Sequence, residues 1–283
     1  MRHTRWLGTA LLLAIASLSS AASPRSDLVK AELLADTASI KPGAPFTLGV
    51  LLHIEPGWHI YWTNPGDSGL ATSVKFKLPP GLKAGPVQYP VPMRIELPGN
   101  VVNYGYERQV MLIATVTPAK SLTIGSQVTI TAEVQWLCCK DVCLPGSAKS
   151  QFTVSIADEA TPANQDLFRQ WSAQVPAEGI GPDISQVKGG LEHGRDGSIS
   201  ILWAHMPRDV SLFPAASDAL AVSAASVNNG DGRTDITFKL ERLPGQEPNA
   251  KAYRIVIGYT TTDGQRRGFY RDFPIRSVAT SLK

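Results

Sequence analysis

The chain has 283 residues, with 27 Lys and Arg against 24 Asp and Glu and a net charge of +3. Charges of both signs are interspersed, so there is no basic block of the kind that tracks a phosphate backbone, and nucleic-acid binding is excluded. Three cysteines, all between Cys138 and Cys143, are too few and too clustered for a disulfide scaffold; their chemistry is local.

The chain begins MRHTRW, with Arg2 and Arg5 ahead of the apolar run LGTALLLAIASL and the small residues SSAAS. This order of charged, apolar and small residues predicts a signal peptide over 1–23, cleaved after Ala22 or Ser23, and hence an exported, periplasmic chain. The apolar stretch is short against the roughly 20 residues of a spanning helix, and no later one is longer.

From Pro45 the sequence reads PFTLGVLLHI, which sets Phe46, Leu48, Val50, Leu52 and Ile54 on one side at period two, as a half-buried strand requires. SVKFKL sets Val74, Phe76 and Leu78 inward with Lys75 and Lys77 outward. QVMLIATV repeats the pattern loosely, and VTITAEVQW carries it from Val128 to Trp136. Clusters such as NPGDSG, LPPGL and LPGN punctuate these runs and forbid long helices, so the first half is predicted to be antiparallel β. Trp58, Trp62 and Trp136 are expected as packing residues.

Between Ala160 and Pro182, Thr161-Pro162 resembles an N-cap with proline in the first turn, and Leu167, Phe168 and Trp171 follow at helical spacing. One short helix and a linker are expected over 157–184, with the boundary in QVPAEGIGPD. Beyond it SISILW, ALAVSA, TDITFKL, YRIVIGY and FYRDFPI read as strands, with hairpin turns at NNGDG and at Asp263-Gly264. A second, smaller β-sandwich-like domain is predicted over 185–283. It contains no cysteine and only His193 and His205, so few groups there could carry chemistry.

The segment WLCCKDVCLPG follows directly on a predicted strand. If the alternation of Val134 and Trp136 continues, Cys138 faces the core and Cys139 the opposite, more accessible face. Residues four apart in an extended strand lie about 13 Å apart, so Cys139 and Cys143 can bond only if Lys140-Asp141-Val142 folds back. Asp141 suits such a turn. A Cys138–Cys139 bond would be strained, whereas Cys138–Cys143 stays open. Closing so short a loop contributes only about 2 kcal/mol, which makes a structural staple a poor use of the pair, although a structural bond and a metal site remain alternatives.

The segments PGWHIYWTNPGDSGL, NYGYERQVML and WLCCKDVCLPG, in this order, resemble the N-terminal periplasmic domain of DsbD-type thiol:disulfide interchange proteins, in particular the ScsB-like branch associated with copper tolerance. The resemblance is strong over about 27–156 and weaker beyond. It implies an immunoglobulin-like antiparallel β-sandwich that takes electrons from a membrane-embedded donor and passes them to periplasmic thioredoxin-like oxidoreductases. It places the reactive cysteines at Cys139 and Cys143, and a lining or cap of that site at Tyr61, Asn103, Tyr104, Tyr106 and Glu107. It implies no cofactor.

Cys138 departs from the family pattern, where an apolar residue is expected, and leaves room for another disulfide isomer or a bound metal. The chain carries neither a membrane-spanning domain nor a thioredoxin-like CxxC, so continuous turnover is expected to depend on separate proteins. Two rival functions are a Cu(I) site built from Cys138, Cys139 and Cys143, with His53 or His59 in reach, and a partner-binding sandwich with a structural disulfide. Lone strand histidines are usually structural, and no Cys–His spacing supports the metal site. Asp67 and Asp141 could assist proton transfer, although Asp67 lies in a turn where a solvated carboxylate is the default.

Overall fold

The computed structural model describes residues 26–179, 181–192, 196–245 and 252–274. The expected signal peptide and His193 lie outside the described residues. The first half is built from β1 (Val29–Ala35), β2 (Ser39–Ile40), β3 (Phe46–Ile54), β4 (His59–Gly66), β5 (Ser73–Lys77), β6 (Leu82–Ala84), β7 (Met93–Leu97), β8 (Val101–Glu107), β9 (Gln109–Pro118), β10 (Gln127–Cys139) and β11 (Cys143–Ile156). One sheet has the order β1-β3-β9-β6. The other runs β2-β11-β10-β4-β8-β7, with β5 also paired to β10. The neighbours are antiparallel except β2 and β11. This is the antiparallel β structure that the alternation predicts, in the sandwich that the family resemblance implies.

The core lies between these sheets. Phe46, Leu48, Val50, Leu52 and Ile54 are all buried, as are Ile130, Ala132, Val134 and Trp136 from β10. Their period of two is the sequence expression of one face turned to the partner sheet. Strands β3 and β9 are buried on their second face as well, because α1 (Gln165–Ser172) lies against it: a Cβ on Gly49 would meet Met111 Sδ at 2.7 Å and the Phe168 ring at 3.1 Å.

The helix carries Phe168 and Trp171 inward as the spacing predicts, but it begins later than Thr161-Pro162. The Thr161 carbonyl accepts bonds from Ala38 N at 2.7 Å and Thr37 Oγ1 at 2.9 Å, which ties that residue to a strand edge. The N-cap is Asn164, whose side chain bonds the Ala35 carbonyl instead of the helix end.

A second pair of sheets follows, from β12 (Ala177–Glu178), β13 (Ile184–Glu192), β14 (Asp196–Trp203), β15 (Arg208–Pro214), β16 (Leu220–Gly230), β17 (Arg233–Arg242), β18 (Ala252–Thr260) and β19 (Arg266–Pro274). The orders are β12-β19-β18-β15 and β13-β14-β17-β16, enclosing a core that includes Ile199, Ile236, Phe238, Ile257 and Phe273. The NNGDG hairpin is present, with Asp231 and Gly232 both at positive φ as a tight primed turn needs.

The two sandwiches share buried contacts. Phe213 of β15 is fully buried and belongs to the first core, edge-on to Trp62 at 6.3 Å and Tyr104 at 5.4 Å. Beside it Asn64 donates to the Pro214 carbonyl at 2.9 Å, and Arg266 to the Pro92 carbonyl at 3.1 Å.

Candidate functional site

Strands β10 and β11 form a hairpin in register from Gln127↔Ser155 to Cys139↔Cys143, closed by Lys140-Asp141-Val142. Lys140 N donates to the Val142 carbonyl at 3.1 Å inside that turn, which folds the chain back as the sequence demanded. Cys139 and Cys143 therefore face each other as the last pair of the ladder, with Cα atoms 4.1 Å apart, and are joined by a disulfide.

The third cysteine stands apart. Cys138 is buried in the core as a free thiol, turned inward by the alternation, and burial pushes that thiol up to about 11. The three sulfurs do not converge on a point. Among the described residues no group of three or more His, Cys, Asp or Glu is placed to hold a metal ion.

One expectation needs correction. Cys139 points away from the core, yet it is only 1% exposed; Cys143 is the exposed sulfur-bearing residue. The cover comes from β4. His59 is the cross-strand partner of Cys139, and Cys143 flanks it on the other side. The Tyr61 hydroxyl lies 3.4 Å from His59 Nε2 and 4.0 Å from Cys143 Sγ, so the phenol spans the residues on either side of Cys139.

Tyr61 is itself 1% exposed, and burial holds its phenol above the usual value. The turn that covers it is glycine-dependent: Gly69 adopts φ +99°, and a Cβ there would meet the Tyr61 ring at 2.3 Å. Asn103, fully buried, anchors this turn. Its Oδ1 accepts from Ser68 N at 3.1 Å, and its Nδ2 donates to Ser68 Oγ at 3.0 Å. Asp67 adds a second clamp, with Val102 N donating to its carboxylate at 2.8 Å.

All of NYGYE, Asn103 included, lies in strand β8. Tyr104 packs on Phe213 of the second sandwich, and Tyr106 donates its hydroxyl to the Pro90 carbonyl at 2.7 Å. Glu107 is the cross-strand partner of His59. The structure thus brings Tyr61 to the disulfide directly, Asn103 through Ser68, and Glu107 through His59. His53 is exposed and bonded to Gln109, away from the cysteines. The sequence offered His59 as a candidate copper ligand beside the thiols or, by default, as an ordinary strand histidine; the register is what sets it next to Cys139.

The turn beside Cys143 is exposed throughout and mixes the charged Lys140 and Asp141 with an apolar residue. Val142, its chain neighbour, is 59% exposed, and Leu70, next to the glycine on Tyr61, is 65% exposed. A disulfide between one exposed and one covered cysteine is suited to attack by a docked thiol rather than to cross-linking.

Comparison with known proteins agrees. The family model described as "Thiol:disulfide interchange protein DsbD, N-terminal" matches residues 26–155. Among solved structures, the N-terminal periplasmic domain of ScsB from Proteus mirabilis aligns over 86% of this chain and 92% of its own, with TM-score 0.59 and 16% identity. This likeness concerns the fold. The major pilin subunit BcpA of Bacillus cereus aligns over 90% of this chain and 68% of its own at TM-score 0.29 and 12% identity, too low to carry an argument. No curated protein sequence matches this one. Residues 26–155 are a DsbD-type N-terminal domain, folded as an antiparallel β-sandwich with a Cys139–Cys143 disulfide at the end of its longest hairpin.

Proposed function

We propose that the protein is a periplasmic thiol–disulfide exchange module that relays reducing equivalents through Cys139 and Cys143. The observation that carries the reading is the asymmetry of the bond, exposed at Cys143 and covered at Cys139. When the pair is oxidised, a partner thiolate attacks Cys143 Sγ, the Cys139 sulfur leaves, and a mixed disulfide on Cys143 is resolved by the partner's second thiol. In the other direction Cys143 attacks and Cys139 resolves.

The partners are thiol-redox proteins: a membrane-embedded donor of the DsbD type and thioredoxin-like acceptors, docking on the rim of Val142 and Leu70. The shielding expected of the Asn103–Glu107 stretch acts through Asn103, which holds the Ser68-Gly69 turn over Tyr61, while Tyr104 and Phe213 brace the same strand from the second sandwich. The leader-like start of the chain and the periplasmic ScsB fold support the compartment. Among the described residues no helix is long and apolar enough to cross a membrane.

The test is trapping. Cys139→Ser, mixed with a purified thioredoxin-like protein activated at its attacking cysteine, should give a stable adduct through Cys143 that dithiothreitol releases. Cys143→Ser should give little, because the remaining sulfur is covered. Adducts formed equally by both variants would refute the asymmetry, and a reduction potential for the native pair below about −300 mV would favour a structural bond instead.

A further inference from the structure

The sheet register sets four side chains of different chemistry in one row. Cys143 on β11 is paired with Cys139 on β10, Cys139 with His59 on β4, and His59 with Glu107 on β8. Directly opposed residues of antiparallel strands project from the same face, with Cβ atoms about 4.5–5.5 Å apart. Two thiols, an imidazole and a carboxylate therefore stand side by side in that order. His59 is 4% exposed, so it is enclosed rather than solvated. The Tyr61 hydroxyl, within 3.4 Å of His59 Nε2 and 4.0 Å of Cys143 Sγ, links the imidazole to the far end of the row as well.

Enclosure also sets the protonation state. Burial lowers the His59 pKa from its usual value, with the Glu107 charge pulling against that shift. The imidazole is then neutral at pH 7 and free to accept a proton, and Glu107 is placed to stabilise the cation once it forms. The other titratable groups facing His59 are Cys139, Tyr61 and, through Tyr61, Cys143. Lys140 lies close by as well, its Nζ 3.5 Å from where a Cβ on Gly57 would stand.

We propose that His59 is the proton acceptor for the reduced cysteine pair, taking the Cys143 proton through the Tyr61 hydroxyl and the Cys139 proton across the strand pair, with Glu107 stabilising the imidazolium. This rests on the exchange reading above. In the first step the Cys143 S–H proton passes to Tyr61 Oη while the Tyr61 proton passes to His59 Nε2, leaving a thiolate, an intact phenol and an imidazolium. The thiolate then attacks the partner's disulfide: a bond forms from Cys143 Sγ to one partner sulfur, and the other partner sulfur departs with the electron pair of the broken bond. That thiolate is protonated at the expense of the imidazolium, which returns His59 to its neutral form. His59 then accepts the Cys139 proton, Cys139 Sγ attacks Cys143 Sγ, and the second partner sulfur leaves as a thiolate that takes up that proton. Two thiols here become one disulfide, one partner disulfide becomes two thiols, and two protons change hands.

The test needs no partner. Reduced protein is treated with iodoacetamide from pH 5 to 10, and labelling at Cys143 is followed by peptide mass spectrometry. The parent rate should rise through a step below about pH 6.5, well under the roughly 8.5 of a free thiol. His59→Gln and Tyr61→Phe should each abolish that step and slow labelling at pH 7 by at least about tenfold. The double variant should be no slower than either single one, because both lie on one path. Glu107→Gln should move the step to lower pH.

At pH 10, where the thiol ionises unaided, all variants should react like the parent. A parent profile with a single step near 8.5 would overturn the proposal, as would variants slowed equally at pH 7 and pH 10, which would make His59 and Tyr61 steric elements only. If His59→Gln fails to fold, the parent profile with Tyr61→Phe and Glu107→Gln still decides. Intact alkylation behaviour without exchange in the trapping experiment would remove the relay reading and leave the proton path standing.

Discussion

Replacement of Gly69 by alanine tests whether the Gly66–Leu70 turn is what seats Tyr61 on the disulfide. The backbone at this position has φ +99°, outside the range that residues with a Cβ adopt readily, which costs about 1–2 kcal/mol. The new methyl would also stand 2.3 Å from Tyr61 Cε1 and Cζ, and the ring is buried and cannot swing aside into solvent. Overpacking of this kind costs about 1–3 kcal/mol, so the total is about 2–5 kcal/mol. Chemical unfolding of the oxidised protein, followed by tryptophan fluorescence, should show a correspondingly lower midpoint. Because the strain is relieved by moving the turn or the ring, the disulfide should also be reduced faster by dithiothreitol. A loss under about 1 kcal/mol with an unchanged reduction rate would refute the packing argument.

Phe213→Ala should lower stability by about 3–5 kcal/mol in the same unfolding assay, since a fully buried ring is removed from the junction of the two sandwiches; a change confined to tenths of a kcal/mol would mean that the sandwiches are held together elsewhere. Cys138, whose thiol is shifted from an ordinary 9.0 to about 11, should resist iodoacetamide at pH 8 in the folded reduced protein and react in urea. The folded chain keeps that proton where the unfolded chain loses it, so the contribution to stability is full below about pH 9 and declines as pH rises toward 11, measurable as a falling midpoint over that window.

The period-two runs were readable because one face of each strand is buried and the other is not, as in β10 from Val128 to Trp136. The same rule placed Cys138 in the core. It failed for Cys139, because alternation reports which face a side chain takes and not what a neighbouring strand lays over that face. Strand β8 escaped notice for a related reason. Its Asn103 and Gly105 weaken the pattern, yet both are required by tertiary contacts: Asn103 by Ser68, and Gly105 by the Ile60 carbonyl, which a Cβ would meet at 2.1 Å. In the second half β13 and β15 were missed. Gly189 and Gly190 interrupt the first, and the second runs into proline at Pro214. Tyr61 and Asn103 came from family resemblance, whereas the row from Cys143 to Glu107 depends on register that brings β4 and β8 beside a hairpin distant from them in sequence.

The disulfide closes the final rung of a hairpin whose remaining rungs are held by backbone hydrogen bonds. Opening it releases a ring of only five residues, and the ladder keeps Cys139 and Cys143 opposed without it. Oxidised and reduced forms should therefore share one backbone, so that electrons can be stored and surrendered without refolding. A partner that must tell the loaded from the empty form has no altered shape to sense. It has to read the sulfur chemistry itself, at the one cysteine of the pair that this surface leaves exposed.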